Sequence, residues 1–368
     1  MKFLCSRDRL TEAISVVQKA VSTRSTLPIL DGILIEASST EGVKLTGYDL
    51  ETGIECSLDS DVTEGGSIVI NSRLIGEIVR KLPDNQVSFE SNSNLQISIE
   101  SGSSVFSIKG MSAEGYPKIP TVSDAEKITL PQTLFKDMVR QTIFAVSTDE
   151  SRPTLNGCFF NCDGFAIEMV AIDGFRLALR KQLIGQDLPV MKFIVPGKAL
   201  HEVGRILGGK DAEVVVYSSS NHILFDTGNV RIVSRLIQGE YMNYKAILPK
   251  SSQTTLLVST ASLLDAIERA SLIIISEDRR CPVQISMPND ETLVINASTE
   301  LGTLHEEIPA NITGERIDID FNPRYFIDAL RAIDKDEISI LFNGSNGPCV
   351  LKPTEGEEFS YLVLPLRR

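Results

Sequence analysis

The order of hydrophobic periods along the chain predicts an α+β fold of three repeated units, each with two helices packed on antiparallel sheets. Three observations carry the prediction. Six stretches of helical period recur about every 60 residues, and runs of alternating polarity fill the intervals between them. One hairpin signature also occurs three times.

The helices come first. "RDRLTEAISVVQKA", with the Val21 that follows it, sets Leu10, Ile14, Val17 and Val21 at i, i+4, i+7 and i+11, the stripe of a helix with one buried side. The other five are "NSRLIGEIVRKL", "PQTLFKDMVRQTIFAV", "PGKALHEVGRIL", "STASLLDAIERASLI" and "NPRYFIDALRAI". Each opens with Ser, Asn, Pro or Asp, residues that suit a helix start. Their starts pair up with a period of about 125 residues, which divides the chain into units over 1–125, 126–252 and 253–368.

Between the helices the period falls to two. "VKLTGYDLETGIECSL", "QVSFESNSNLQISIESGSSVFSIKG", "AEVVVYSSSNHILFDTGNVRIVSRL" and "ETLVINASTELGTLHEEIP" read as antiparallel hairpins with one face buried. The repeated hairpin places Asp49 in "LTGYDLETGIECSL", Asp173 in "VAIDGFRLALRKQL" and Glu300 in "INASTELGTLHEEI". A catalytic carboxylate would not need to appear three times, so Asp173 reads as a turn residue.

The 368 residues are 42% apolar and 23% charged, with a formal net charge of −13. This is a globular composition, and its acidity argues against gripping nucleic acid by bulk electrostatics. The N-terminus "MKFLCSRDRL" has no run of signal-peptide length, and nowhere do eighteen apolar residues follow one another. Six scattered cysteines, none in CxxC spacing, suit a reduced, cytoplasmic chain; Cys158 and Cys162 lie four apart in a strand-like run and suit core packing.

Enzyme signatures are weak. "GRILGGKD" at 204–211 fits G-x-x-x-x-G-K but ends in Asp211, where magnesium coordination needs a hydroxyl. Gly208 and Gly209 follow a helical run, where they look like a C-terminal cap and not a phosphate cradle. His201, His222 and His305 lack partners at metal-ligand spacing, and no G-x-S-x-G elbow is present. No catalytic residue, metal or cofactor is expected.

Positive charge concentrates on the helices. Residues 8–20, 72–81, 132–144, 198–207, 261–271 and 323–332 hold twelve Lys and Arg against eight Asp and Glu, which leaves −17 on the remainder. Six helices side by side, each about 10 Å wide, would close a circle with a hole of about 9 Å, narrower than the ~12 Å DNA major groove. Twelve would leave a hole of about 28 Å, so only two chains in a head-to-tail ring could pass a duplex.

The chain closely resembles the bacterial DNA polymerase III beta subunit family, the sliding clamps. The likeness runs from "MKF" through "RSTLPIL", "TLNG", "DGFRLAL", "VPGKAL" and "ILPK" to "YLVLPLRR". It implies a DNA clamp fold: a ring homodimer that encircles duplex DNA without reading sequence and confers processivity on a polymerase. The implied partners are the polymerase III alpha subunit, a clamp loader complex, and other polymerases and repair factors, all using clamp-binding peptides.

By matching motif positions, a peptide pocket would use Leu155, Ile172, Gly174, Phe175, Arg176, Leu177, Met242, Ile247, Leu362, Val363, Leu364, Pro365, Leu366 and Arg367. The terminus "YLVLPLRR" is unusually apolar, Pro365 keeps it from simply extending a sheet, and an Arg at the rim suits peptide anchoring. Ile172, Phe175 and Met242 stand where the family often has Thr, His and Pro, and Ala246 replaces a commonly basic residue, so a more apolar pocket is expected. The same matching assigns Arg24, Arg73, Arg152, Lys198 and Arg205 to loose phosphate contacts. For ring closure, Phe106 and Ile108 are expected to meet Leu272 and Ile273. The alternatives are a nucleotide hydrolase using Gly204 to Lys210, and a peptide-binding scaffold that does not bind DNA.

Overall fold

The structure, a computed structural model, describes residues 1–22, 27–123, 125–185, 188–274 and 282–366. All six predicted helices are present: α1 Arg7–Val17, α2 Ser72–Arg80, α3 Gln132–Arg140, α4 Gly197–Ile206, α5 Thr260–Ser271 and α6 Pro323–Ala332. Capping explains several of their starts. Asn71 accepts from Leu74 N–H, Ser259 from Ser262 N–H and Asn322 from Arg324 N–H, each satisfying a donor that the first turn leaves free.

The chain folds as two compact units, Met1–Phe135 with Glu202–Leu236, and Lys136–His201 with Ile237–Arg368. The first contains a five-stranded sheet in the order Asp61–Glu64, Lys2–Ser6, Gln86–Ser91, Gln96–Ser101, Ser104–Lys109. It also contains an eight-stranded sheet in the order Glu126–Pro131, Glu213–Ser218, His222–Asp226, Val230–Arg235, Thr52–Leu58, Gly42–Tyr48, Gly32–Ser38, Gly66–Asn71. There α1 packs beside α2 and over the hairpin of residues 42–58, with Leu10, Ile14 and Val17 buried. Phe3 stacks on Phe89 at 4.8 Å across neighbouring strands.

The second unit contains a nine-stranded sheet in the order Met191–Pro196, Gly157–Cys162, Ala166–Ile172, Arg176–Leu183, Phe359–Val363, Cys349–Pro353, Glu337–Phe342, Thr254–Ser259, Asn311–Gly314. A four-stranded sheet follows the order Gly302–Pro309, Thr292–Thr299, Val283–Ser286, Asp318–Phe321, and α5 packs on it beside α6. The strand pairings in all four sheets are antiparallel. Cys158 and Cys162 share the buried face of one strand, as their spacing requires. Burial pushes the Cys158 thiol up to about 12, against a smaller lowering by its hydrogen bond with Thr142; Cys281 lies outside the described residues.

The eight- and nine-stranded sheets share one plan. In the first, the last strand of a three-strand meander, Val230–Arg235, pairs with the second strand of the Asp49 hairpin. In the second, Phe359–Val363 likewise ends a meander and pairs with the second strand of the Asp173 hairpin. Each large sheet thus joins two of the repeats seen in the sequence.

Candidate peptide-docking site

The Asp173 turn begins as sequence chemistry predicts. Asp173 Oδ1 accepts from the N–H groups of Phe175 and Arg176 at 2.9 and 3.0 Å, and Gly174 takes φ 95°, a conformation that side chains with a Cβ rarely adopt. Asp49 does the same for Glu51 and Thr52. The third hairpin departs from the pattern: its loop is two residues long, and Thr299 Oγ1, not Glu300, accepts the Leu301 N–H. Its shorter loop moves the side-chain acceptor back by one residue.

Arg176, one of the residues named for the pocket, is buried. Its side chain is only 9% exposed. Nε donates to Asp173 at 2.9 Å, Nη1 to Asp328 on α6 at 2.6 Å, and Nη2 to the Phe144 carbonyl at 2.6 Å. The guanidinium also lies 4.8 Å over the Tyr325 ring, a favourable cation–π position. Strand alternation gives the reason: Arg176 pairs with Val363, and both point away from the face that carries Leu177 and Leu362.

That second face is the floor of the site. Ile172 pairs with Leu177, Leu177 with Leu362, and Leu362 with Val350, so four adjacent strands present one apolar row. Leu155, Tyr241 and Tyr244 pack into the same buried cluster. Truncating Leu362 would therefore cost roughly 2–5 kcal/mol of stability, so binding is better probed at exposed positions. Those are Phe175, Met242, Ile247 and Leu364, respectively 55%, 45%, 37% and 37% exposed.

The terminal segment follows the rim. Leu364 N–H donates to the Phe175 carbonyl at 2.9 Å, and beyond Pro365 the Leu366 N–H reaches the Asp320 carbonyl at 2.8 Å. Pro365 and Leu366 are half-buried. Arg367 and Arg24 lie outside the described residues.

Three side chains of this region escaped sequence reasoning. Tyr325 stacks on Phe175 at 6.1 Å, and Asp328 lies one helical turn further along α6, a spacing that could have paired them as neighbours. Glu168 lies in the row of Val170 and Ile172, where an acidic residue interrupts an apolar face.

Models of the DNA polymerase III beta subunit match nearly the whole chain: its N-terminal domain over 1–120, central domain over 129–243 and C-terminal domain over 245–367. The Bacillus subtilis beta sliding clamp is 37% identical over 380 residues, and that of a Staphylococcus epidermidis strain 36% over 376, each alignment covering 99% or more of both proteins. A crystal structure of the Bacillus subtilis DNA polymerase sliding clamp superposes with a TM-score of 0.94 at 36% identity over 100% of this chain and 99% of that one. The putative beta subunit from Eubacterium rectale gives 0.95 at 36%, with both chains fully covered.

The chain belongs to the DNA polymerase III beta subunit family. It is a DNA sliding clamp, a processivity factor with the three-domain clamp fold.

Among the residues assigned to DNA in this clamp, Lys198 and Arg205 are exposed seven apart on α4, and Arg205 lies 3.6 Å from Glu202. Arg73 on α2 is 88% exposed and ion-paired with Glu77 one turn on. Arg152 is placed differently: its guanidinium lies against Gly174, beside the peptide-site turn. The expected closure residues Phe106 and Ile108 are half-buried on the edge strand Ser104–Lys109. Leu272 is 81% exposed just past α5, and Ile273 beside it is half-buried.

The P-loop-like stretch has another use. The N–H groups of Gly208 and Gly209 both donate to Gln132 Oε1 at 3.2 Å, so these amides do not face an anion. Neither glycine takes positive φ, which instead falls on Asp211. The left-handed glycine cap expected from the sequence is replaced by this side-chain acceptor. No group of three or more potential metal ligands occurs among the described residues.

Proposed function

We propose that two copies of the chain close head to tail into a ring around duplex DNA, and that the site above tethers partners through short peptides. The observation that carries the ring is a missing pairing. In both large sheets the last strand of a meander pairs with the second strand of a repeated hairpin. Among the described residues, the equivalent strands Ser104–Lys109 and Gly302–Pro309 are both sheet edges without such a partner. An exposed edge is a template for another chain, and joining the five- and four-stranded sheets across two copies would make nine strands, as in the sheet already complete.

Phe106 and Ile108 on one edge, with Leu272 and Ile273 next to the other, supply apolar contact for that closure. Arg24, Arg73, Arg152, Lys198 and Arg205 would touch phosphate loosely, since a clamp that slides reads no bases. The peptide site would take a glutamine and large apolar residues from the polymerase III alpha subunit, the clamp loader complex and repair factors. No active site of its own is needed for tethering, and a cytoplasmic location fits a chain in which no described helix is long and apolar enough to cross a membrane. Domain boundaries near 125 and 252 belong to the same proposal.

Sedimentation and DNA retention test the reading together. The wild type should sediment as a dimer and, once loaded, stay on a nicked circular duplex but leave when the circle is cut. Phe106→Glu with Ile108→Glu should give monomers that are not retained. A dimer that persists in that variant, or equal loss from circular and linear DNA, overturns the ring.

A further inference from the structure

The segment that carries Met242 and Ile247 has its own fastening. Glu168 is 7% exposed on the interior strand Ala166–Ile172, two and four residues before Val170 and Ile172 of the pocket floor and on their face. A single oxygen, Oε2, collects three donors: Asn161 Nδ2 at 2.9 Å, Tyr244 Oη at 2.5 Å and Lys245 Nζ at 3.1 Å. Asn161 is the cross-strand neighbour of Glu168, whereas Tyr244 and Lys245 sit on the 3-10 turn Tyr244–Ala246, directly before Ile247.

A second fastening lies three residues upstream. Tyr241 donates its hydroxyl to the Val170 carbonyl at 3.3 Å and stacks on Phe159 at 5.0 Å. Between and beside these two anchors stand the exposed side chains of Met242 and Ile247. Burying a carboxylate is costly unless it is paired and hydrogen-bonded. Here the cost is met at a place where an apolar residue would satisfy the fold alone.

We propose that Glu168 is a positioning residue for partner binding: through Tyr244 and Lys245 it holds the 241–248 segment so that Met242 and Ile247 form a standing wall of the peptide site. The inference rests on the peptide-site reading and deepens it. A wall fixed before binding loses less freedom when a peptide docks, so the latch raises affinity without touching the peptide. The charge state agrees with the geometry. Burial pushes the Glu168 carboxyl up, but hydrogen bonds from Tyr244, Asn161 and Lys245 and the Lys245 charge outweigh it, leaving it below the ordinary glutamate value.

The test is a mutational cycle on the full chain, read with a fluorescein-labelled peptide carrying a glutamine followed by large apolar residues. Glu168→Gln should weaken the peptide about tenfold, mostly through faster release, with the dimer unchanged. In a Met242→Ala, Ile247→Ala background the same change should cost less than about twofold, because the wall it positions is already gone. A merely structural role would weaken both backgrounds alike. Wild-type affinity in Glu168→Gln, or equal losses in the two backgrounds, overturns the positioning role.

Leu364→Ala with Leu366→Ala separates this from the underlying reading. A peptide bound by the wild type and lost in that variant supports the site whatever Glu168→Gln does. A peptide that the wild type does not bind sinks both. Should Glu168→Gln fail to fold, Tyr244→Phe carries the same cycle with the same criteria.

Discussion

Two turns of one sequence, Asp163-Gly164-Phe165 and Asp173-Gly174-Phe175, stand at opposite ends of the strand Ala166–Ile172. Their backbones agree. Both glycines take positive φ, 108° and 95°, and both aspartates accept the N–H groups two and three residues on. These two bonds are the main reason the Asp163 carboxyl is held below the usual carboxylate range. What differs is the following residue. Ala166 is a small buried side chain, and the first turn is tied down by its own carbonyls, which accept from Ile184 and Leu188. Arg176 instead reaches Asp328 on α6 and the carbonyl of Phe144. The turn is generic; the arginine after it converts one copy into a junction on which Phe175 and Tyr325 are arranged.

The largest effect should come from removing that junction. Arg176→Ala leaves Asp173 and Asp328, 15% and 27% exposed, without the buried guanidinium between them, and among the described residues Asp328 keeps only the exposed Arg324 at 4.0 Å. Deleting one partner of a buried pair costs about 3–5 kcal/mol, and the partial exposure of Asp328 favours the lower end, about 3 kcal/mol. Denaturant unfolding would measure it. A loss below about 1 kcal/mol, typical of exposed pairs, would place Arg176 among solvent-screened ion pairs and dissolve the contrast between the turns.

A finer comparison replaces the shared residue itself. Asp163→Ala and Asp173→Ala each remove one acceptor for two backbone N–H groups, a local effect of about 1 kcal/mol by analogy with helix caps. Only Asp173→Ala also frees Arg176 Nε, which adds about 1 kcal/mol more. The second variant should therefore lose about twice as much stability as the first in the same unfolding experiment. Equal losses would show that the Nε bond contributes nothing net.

The contrast also marks how far the sequence could be read. Helices and hairpins are set by neighbours a few residues apart, so periodicity located all six helices and the main hairpins. The helical period of the first stretch runs on to Ala20, but the chain tightens to 3-10 geometry after Val17. Pairings such as Val230 with Cys56 or Arg176 with Val363 join segments far apart in the chain, and no local pattern announces them. At the site, alternation along the strands accounts for the row Ile172, Leu177 and Leu362, which the family resemblance had named. The burial of Arg176 was not legible, because its partners Phe144 and Asp328 are 32 and 152 positions away. Glu300 misled for the opposite reason: it occupies the repeated position, but in a loop one residue shorter.

The smallest effect on folding, and the sharpest on function, belongs to the third turn residue. Phe165 and Phe175 are 65% and 55% exposed, and exposed substitutions usually stay within about 0.5 kcal/mol. Phe175 also stacks on Tyr325 at 6.1 Å and 19° between planes, a contact worth about 0.5 kcal/mol at this exposure. Phe165→Ala should therefore leave stability unchanged, and Phe175→Ala should lower it only marginally. Peptide binding should part them. Phe175 lends its carbonyl to Leu364 and its ring to the rim, so its truncation should weaken a labelled peptide about tenfold, the scale of an anchoring aromatic. Phe165, at the far end of the strand, should leave affinity untouched. Equal losses from both truncations would mean that the peptide does not distinguish the two ends, and the site would have to be sought where both rings contribute.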